Sequence, residues 1–364
     1  MAKRQKLSFV ELDDMPDEII LKIFTFLDIK EILKCGQVSQ RIRAISNDES
    51  LWLQLNFFEG HVPYGLIEKA VENGCKYLGL ASAWLYDGGN SNMPLNLKYL
   101  EMSYLRSNNP YNSHEAHDGF LVIGHVPQRY EVPPGLLKNC HSLQKLAMKN
   151  LVLDLEAINH IGKNGETLKV LNLADIHLSI LYPNPNRVKS IEELFKRCVE
   201  LNELNFSTKW FYESEIFTAI AYNLAPKIMK LDLSHNTNLK DGHVETLIKR
   251  CNKITELSFS FTSITNKSVD SIVTHLHSSL EKLDVFYTKI DSTALLQLGS
   301  VGTLKVLNCF DKVNGMRGQE EYLRKNLPQV SINEESYSIA SSTSDTVLFP
   351  DYGFWEIKAK AQKL

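Results

Sequence analysis

No run of 18 consecutive apolar residues occurs in the 364-residue chain, so no helix spanning a bilayer is expected and a membrane is not an expected partner. Cysteine is scarce. There are six, none in a C-x-x-C pair, which argues against a disulfide framework and against paired thiolates for a metal. Neither charge is in surplus: 40 basic residues stand against 43 acidic, for a net charge of −3. A chain built to hold a phosphate backbone carries a basic surplus or stripe, so nucleic acid is not an expected partner either. The phosphate loops G-x-x-x-x-G-K-[ST] and G-x-G-x-x-G are missing, as is the serine elbow G-x-S-x-G. His114-Glu115-Ala116-His117 is one residue short of H-E-x-x-H and lacks the i, i+4 spacing that puts two imidazoles on one helix face. No catalytic residue, metal ligand or cofactor is therefore assigned. The first residues hold no apolar signal core, because Glu11, Asp13 and Asp14 follow the charges of Lys3-Arg4-Gln5-Lys6. The expected location is inside the cell, in nucleus and cytoplasm, the basic tetrad having the composition of a short nuclear localisation signal.

What the chain does have is ordinary globular composition, 43% apolar and 23% charged, and a repeat. The pattern apolar-x-x-apolar-x-apolar appears as Leu97-Leu100-Met102, Leu143-Leu146-Met148, Leu168-Leu171-Leu173 and Leu201-Leu204-Phe206. It continues as Ile228-Leu231-Leu233, Ile254-Leu257-Phe259, Leu280-Leu283-Val285 and Leu304-Leu307-Cys309, with a weaker copy at Cys75-Leu78-Leu80. The steps between copies are 22, 46, 25, 33, 27, 26, 26 and 24 residues, mostly within or beside the leucine-rich-repeat period. The 33-residue step holds the turn-rich Tyr182–Asn186. The 46-residue step holds a stretch near 104–130 that is either a degenerate repeat or a loop. Cys75, Cys140, Cys198 and Cys251 each stand three residues before an apolar repeat position, which points to structure rather than to a metal site. The alternation predicts a strand with its leucines turned inward. Ser190–Arg197 and Val244–Arg250 read as amphipathic helices with basic last turns. One strand and one helix cannot bury an apolar face alone, so the units must stack.

Residues 12–56 follow a different rhythm. Pro16 suits a first helical turn, with Asp13, Asp14, Asp17 and Glu18 at its positive end. Ile19, Ile20, Ile23, Phe24 and Leu27 then make a wide apolar stripe. A second helical run carries Ile32, Leu33 and Val38, a third Ile42, Ala44 and Ile45, and Leu51, Trp52 and Leu55 close the block. Three short helices are too few to bury so many large side chains, so the surplus packs on the first repeat or docks a partner.

Leu12-x-x-Met15-Pro16-Asp17-Glu18-Ile19-Ile20-Leu21-x-Ile23-Phe24-x-x-Leu27, Val38-Ser39-x-Arg41 and Asp48-x-Ser50-Leu51-Trp52 together resemble the F-box motif, with Met15 in place of the commoner Leu. With the repeats, the chain is similar to the F-box and leucine-rich-repeat family. The expected fold is α/β: a short N-terminal segment (1–11), a three-helix F-box (12–56), a curved leucine-rich-repeat solenoid of one strand plus one helix per repeat (57–312), and an ordered C-terminal cap and tail (313–364). The resemblance implies a non-catalytic substrate receptor. Its F-box would bind a SKP-type adaptor through Met15, Pro16, Ile19, Ile20, Ile23, Phe24, Leu27, Ile32, Leu33, Val38, Leu51 and Trp52, and hang from a cullin–RING ubiquitin ligase. Its repeats would hold a protein substrate, phosphorylated and connected with the cell cycle, for degradation. A non-degradative scaffold, or a receptor for substrates unrelated to the cell cycle, is the alternative.

Residues flanking the inward leucines are expected on the concave face. From Leu143 onward these include Lys145, Lys149, Lys230 and Lys282 against Glu203, Asp232, Glu256 and Asp284, with no Arg, so their charges cancel. Phosphate recognition favours clustered Arg, so this face alone is not expected to read phosphate. The C-terminal residues, from Leu327-Pro328-x-Val330-x-Ile332-Asn333 to Trp355-Glu356-Ile357-Lys358, resemble one branch of the family. In it a cyclin-dependent-kinase-subunit-type accessory protein docks near the last repeats and supplies the phosphate site. The candidate substrate and accessory residues are Glu256, Ser258, Lys282, Asp284, Phe286, Tyr287, Asn308, Phe310 and Trp355. Val347, Leu348, Phe349, Phe354 and Ile357 are too apolar for a disordered tail, and Gln319–Leu327 is a candidate terminal cap.

Overall fold

The computed structural model describes residues 14–86, 93–107, 130–132, 134–178, 186–209, 213–309 and 317–333. The helical block comes first: α1 (Asp17–Phe24), α2 (Ile29–Cys35), α3 (Gln40–Ser46) and the single turn α4 (Glu49–Trp52). The expected three helices thus become four segments, each start having a sequence cause. Pro16 occupies the N-cap of α1. Asp28 and Glu31 close a reciprocal capping box on α2, with bonds of 3.1 and 3.0 Å. Ser39 accepts from the Ile42 N–H to open α3, and Asp48 accepts from the Ser50 N–H to open α4. Arg41 ties the block together, its Nε reaching Asp17 Oδ1 at 2.9 Å and its Nη2 the Met15 carbonyl at 2.5 Å.

The repeats follow without a break. In chain order they are β1 (Gln54–Asn56), β2 (His61–Pro63), α5 (Tyr64–Glu72), β3 (Tyr77–Gly79), β4 (Trp84–Tyr86), β5 (Tyr99–Glu101), β6 (Arg106–Ser107), β7 (Tyr130–Glu131) and α6 (Pro134–Lys138). Next come β8 (Lys145–Ala147), β9 (Leu151–Leu153), α7 (Leu155–Lys163), β10 (Val170–Asn172), β11 (His177–Leu178), α8 (Asn186–Arg197), β12 (Glu203–Asn205) and α9 (Ser214–Asn223). The last are β13 (Lys230–Asp232), α10 (Asp241–Arg250), β14 (Glu256–Ser258), α11 (Asn266–His275), β15 (Lys282–Asp284), α12 (Ser292–Leu296), β16 (Val306–Asn308), α13 (Arg317–Asn326) and β17 (Ser331–Ile332).

One parallel sheet of eleven strands runs β1-β3-β5-β8-β10-β12-β13-β14-β15-β16-β17. Its register stacks the central leucines in a line from Leu55 through Leu100, Leu171 and Leu257 to Ile332, all fully buried. Burying such a side chain contributes about 1.5–3 kcal/mol, so the line alone accounts for much of the solenoid's cohesion. Because β5 pairs directly with β8, the 46-residue step adds no rung to this sheet. Its residues 108–129 lie outside the described residues. The helices α6 to α13 pack each on the next. Strands lie about 4.8 Å apart while packed helices need about 8–10 Å, so the sheet takes the concave side.

Loop residues join neighbouring repeats. Asn164, buried, donates to the Cys140 and His160 carbonyls and accepts from the Leu143 N–H at 3.1 Å. The four cysteines of the repeat position are buried and free, and burial pushes the Cys75, Cys140 and Cys198 thiols up to about 12. The candidate cap Gln319–Leu327 falls on α13 and the residue after it, with Leu323 and Leu327 buried, and β17 is the last described strand, paired with β16.

Candidate adaptor and substrate surfaces

A wide apolar stripe on α1 has to be divided between core and surface, and the 3.6-residue period divides it into two rows. Ile20, Phe24 and Leu27 form one row. Ile20 and Phe24 are buried and Leu27 half-buried, against Ile29, Ile32, Ile42 and Ile45. Ile19, Ile23 and Phe26 form the adjacent row, which faces outward: Ile19 is 50% and Phe26 70% exposed. Val38, in the turn between α2 and α3, is 75% exposed.

The twelve expected adaptor contacts therefore separate. Ile20, Phe24, Ile32 and Trp52 are interior residues, a correction to the expectation. A partner cannot reach them while the module is folded. Trp52 is held there because its Nε1 donates to the Ser46 carbonyl at 2.6 Å in an apolar surround. Met15, Leu27, Leu33 and Leu51 are half-buried against that core. Pro16, Ile19, Ile23 and Val38 are exposed. Phe26 was not among the expected contacts, yet the i, i+4, i+7 spacing of Ile19, Ile23 and Phe26 marks it. Leu53 and Phe58 extend exposed apolar surface beyond the block.

The ladder face consists of rows running across the strands. The first row reads Tyr77, Tyr99, Lys145, Val170, Glu203, Lys230, Glu256, Lys282, Val306. Its charges pair in sequence: Lys230 Nζ lies 4.0 Å from Glu203 and 3.6 Å from Glu256, and Lys282 Nζ lies 3.5 Å from Glu256. The third row includes Asn172, Asn205, Asp232, Ser258, Asp284 and Asn308, one per strand. Several fold back onto the backbone two residues on. Asn172 accepts from the Ala174 N–H, Asn205 from Ser207, Asp232 from Ser234 and Asp284 from Phe286, at 2.9–3.0 Å. Ser258, whose hydroxyl pairs with that of Ser234 at 2.6 Å, Asp284 and Asn308 are buried rather than displayed, a second correction. Burial pushes the Asp232 carboxyl up to about 7, although Ser234 pulls it down, and raises Asp284 as well.

Beyond the third row most repeats turn through a left-handed residue. At successive repeats these are His235, Phe261 and Tyr287, with φ of 64°, 56° and 53°. Gly or Asn is usual in this conformation; here the rings stack, His235 on Phe261 at 4.5 Å and Phe261 on Tyr287 at 5.1 Å. Phe286 packs edge-on against Phe261 and is buried. Of the expected substrate contacts, Glu256 and Lys282 are half-buried and Tyr287 is exposed. Phe310, Trp355 and the apolar tail from Val347 to Ile357 lie outside the described residues.

Comparison with known proteins matches two stretches of the chain to two families. A family described as the SKP2 LRR domain matches residues 130–362, and one described as F-box-like matches residues 12–57. Human F-box/WD repeat-containing protein 8 is 45% identical over 49 residues, which is 14% of this chain and 8% of that protein. Human F-box only protein 15 is 48% identical over 42 residues, 12% of this chain and 8% of that protein. The chain thus spans under a tenth of the length of these curated relatives. The solved structure titled Leiomodin-1 Actin-Binding Site 2 (ABS2) aligns over 41% of the chain and 90% of its own, at 14% identity and a TM-score of 0.28.

Proposed function

Because the chain belongs to the family of the SKP2 LRR domain and opens with an F-box, we propose that it is the substrate-recognition subunit of a SKP-adaptor, cullin and F-box ubiquitin ligase. One observation carries the reading: Ile19, Ile23, Phe26 and Val38 are exposed on a module whose own core is already complete. Large apolar side chains left outside a filled core mark an interaction surface. The subunit needs no catalytic residue. It works by tethering, raising the effective concentration of a substrate lysine beside a ligase-bound ubiquitin conjugate.

The finer reading is that the substrates are phosphorylated, cell-cycle-related proteins met in nucleus and cytoplasm. It rests on the resemblance of the C-terminal residues to S-phase kinase-associated protein 2. A cyclin-dependent-kinase-subunit-type accessory protein would supply the phosphate site near Tyr287, whose exposed ring ends the stack.

The test uses exposed positions, so that loss of binding is not loss of fold. Ile19→Asp with Val38→Asp, in the full chain, should abolish capture of a purified SKP-type adaptor while leaving the unfolding free energy from urea melts within about 0.5 kcal/mol of the parent. Undiminished capture would overturn the assignment.

A further inference from the structure

The eleven-stranded sheet stops at β17, and it stops in a way that no earlier rung shows. From β1 to β15, the residue after the third row donates its N–H to the backbone carbonyl of the next rung's third-row residue. The series runs from Phe57 to Gly79 and Leu80 to Glu101 through Phe259 to Asp284 and Val285 to Asn308, at 2.7–3.0 Å. Cys309 is next in this series. Its counterpart is Asn333, because Ile332 lies in register with Leu307. Here the Cys309 N–H donates to the Asn333 side chain instead, with Oδ1 at 2.9 Å. The backbone supplies the reason. In most rungs the left-handed residue stands three positions beyond the third row, as at His235, Phe261 and Tyr287, whereas in the last rung Asn333 itself has a φ of 51°. The chain turns off the ladder three residues early. Asn tolerates that conformation better than most side chains, and its oxygen takes over the acceptor role.

The outer side of β17 is closed by a second side chain. The Asn333 N–H donates to the Leu307 carbonyl at 3.0 Å, so that carbonyl points forward along the ladder. Ile332 repeats the position of Leu307, and its carbonyl therefore points to where a twelfth strand would lie. Among the described residues the sheet has no twelfth strand. Arg324, on α13, donates from Nη2 to this carbonyl. Glu320, one turn earlier, aims the guanidinium, its Oε1 lying 2.8 Å from Nη2 and 3.2 Å from Nε. Arg324 thus makes on Ile332 the bond that the Asn333 N–H makes on Leu307.

We propose that Arg324 and Asn333 are a termination device, two side chains that stand in for missing peptide groups and hold the last rungs, β15 to β17, in register. A rung in a solenoid is supported only by its neighbours, so an end left without its bonds frays inward from the last strand. An unpaired strand edge is costly for the same reason. The rungs next in line carry Asp284, Phe286, Tyr287 and Asn308, four of the expected substrate and accessory positions. Arg324 and Asn333 are therefore positioning residues for that end of the ladder, and neither belongs to the leucine pattern. Each acts as a peptide group would. Asn333 uses only its oxygen, since its Nδ2 is buried without a partner among the described residues, and Arg324 supplies an N–H donor.

The experiment is native-state amide exchange of the full chain, followed residue by residue by NMR on deuterated protein. Asn333→Gly keeps the left-handed backbone free of strain and removes the acceptor, so the Cys309 amide should exchange at least tenfold faster. Arg324→Met keeps the length of the side chain and removes the donor. It should speed the Ser331 and Asn333 amides, which tie β17 to β16, at least tenfold. Phe206 and Leu173, several rungs away, should exchange at the parent rate in both variants, and they report that the solenoid is still folded. Glu320→Gln breaks the ion pair but leaves Arg324 its bond to Ile332, and should change the Ser331 and Asn333 amides by less than about threefold. A protected Cys309 in the glycine variant, or protected Ser331 and Asn333 in the methionine variant, would overturn the proposal. So would acceleration of Phe206 and Leu173 by the same factor, which marks general destabilisation, or full reproduction of the methionine effect by Glu320→Gln. Adaptor capture should persist in all three variants, so this outcome is separate from that of the receptor reading.

Discussion

Asp232 and Ser234 are joined by a bond that uses half of a buried carboxylate: Asp232 Oδ1 accepts from the Ser234 N–H at 2.9 Å, while Oδ2 is buried without a partner among the described residues. Asn172 and Asn205 make the same turn-closing bond in their rungs with an uncharged side chain. The turn therefore needs an acceptor and not a charge.

Asp232→Asn should accordingly stabilise the protein in a pH-dependent way. The folded carboxyl titrates near 7, raised by burial from an ordinary value of 3.8. Its favourable contribution is complete below the unfolded value and is lost as the pH rises through the folded one. At pH 8 the variant should be more stable by about 1–3 kcal/mol, and at pH 5 the difference should shrink toward zero. Urea midpoints at the two pH values measure it, and a constant difference would contradict this account of the third row.

Two glycines separate backbone crowding from helix entropy. A Cβ on Gly165 would lie 2.7 Å from the Arg197 carbonyl carbon and 2.8 Å from its Cβ, wedging the loop before β10 against the end of α8. Gly165→Ala should cost about 1–3 kcal/mol. A Cβ on Gly242, in the first turn of α10, would meet nothing within 4 Å. Gly242→Ala should be stabilising by about 0.5–1 kcal/mol, through the unfolded chain. Thermal melts of the two single variants should move in opposite directions.

The rungs were legible because a buried leucine recurring every 24–33 residues leaves one register that hides all of them, from Leu146 to Leu307. The helices α8 and α10 were legible from their amphipathic period and basic ends. Three things were not. On α1 both rows of the stripe are apolar, so periodicity alone does not say that Ile20 faces in and Ile19 out; the packing of α3 decides it. Alternation reads Ser258 and Asp284 as outward, and so they are relative to the leucine line. Asp284, however, bonds to the Phe286 N–H beside it and Ser258 to the Ser234 hydroxyl of the adjacent rung, and rungs about 4.8 Å away cover both. The aromatic neighbours of Lys145 were hidden because Tyr77 belongs to the weaker copy of the repeat and Tyr99 to the copy before the 46-residue step. Only pairing places them beside Lys145.

The stack of His235 on Phe261 supplies the last expectation. The rings lie 4.5 Å apart and 10° from parallel. Burial, with the nearby Lys209 charge, pulls the imidazole down to about 4, so His235 is neutral throughout the physiological range. The Phe261 ring covers one face of the imidazole. Phe261 itself sits at a left-handed φ of 56° that alanine would find no easier, so truncation to Ala removes the ring without relaxing the backbone. Phe261→Ala should let water reach the imidazole and raise its titration midpoint toward the ordinary 6.5, with Lys209 holding it somewhat below. Because the folded value lies below that of an unfolded histidine, His235 costs stability as the pH falls below about 6.5, the penalty growing until the folded value is reached. The variant should therefore lose less stability than the parent on acidification from pH 7 to pH 5, although it starts lower by the lost ring contacts. Histidine ring-proton NMR across that range reads the midpoint directly. An unshifted His235 would mean that the rest of the turn, and not the neighbouring ring, keeps the imidazole dry.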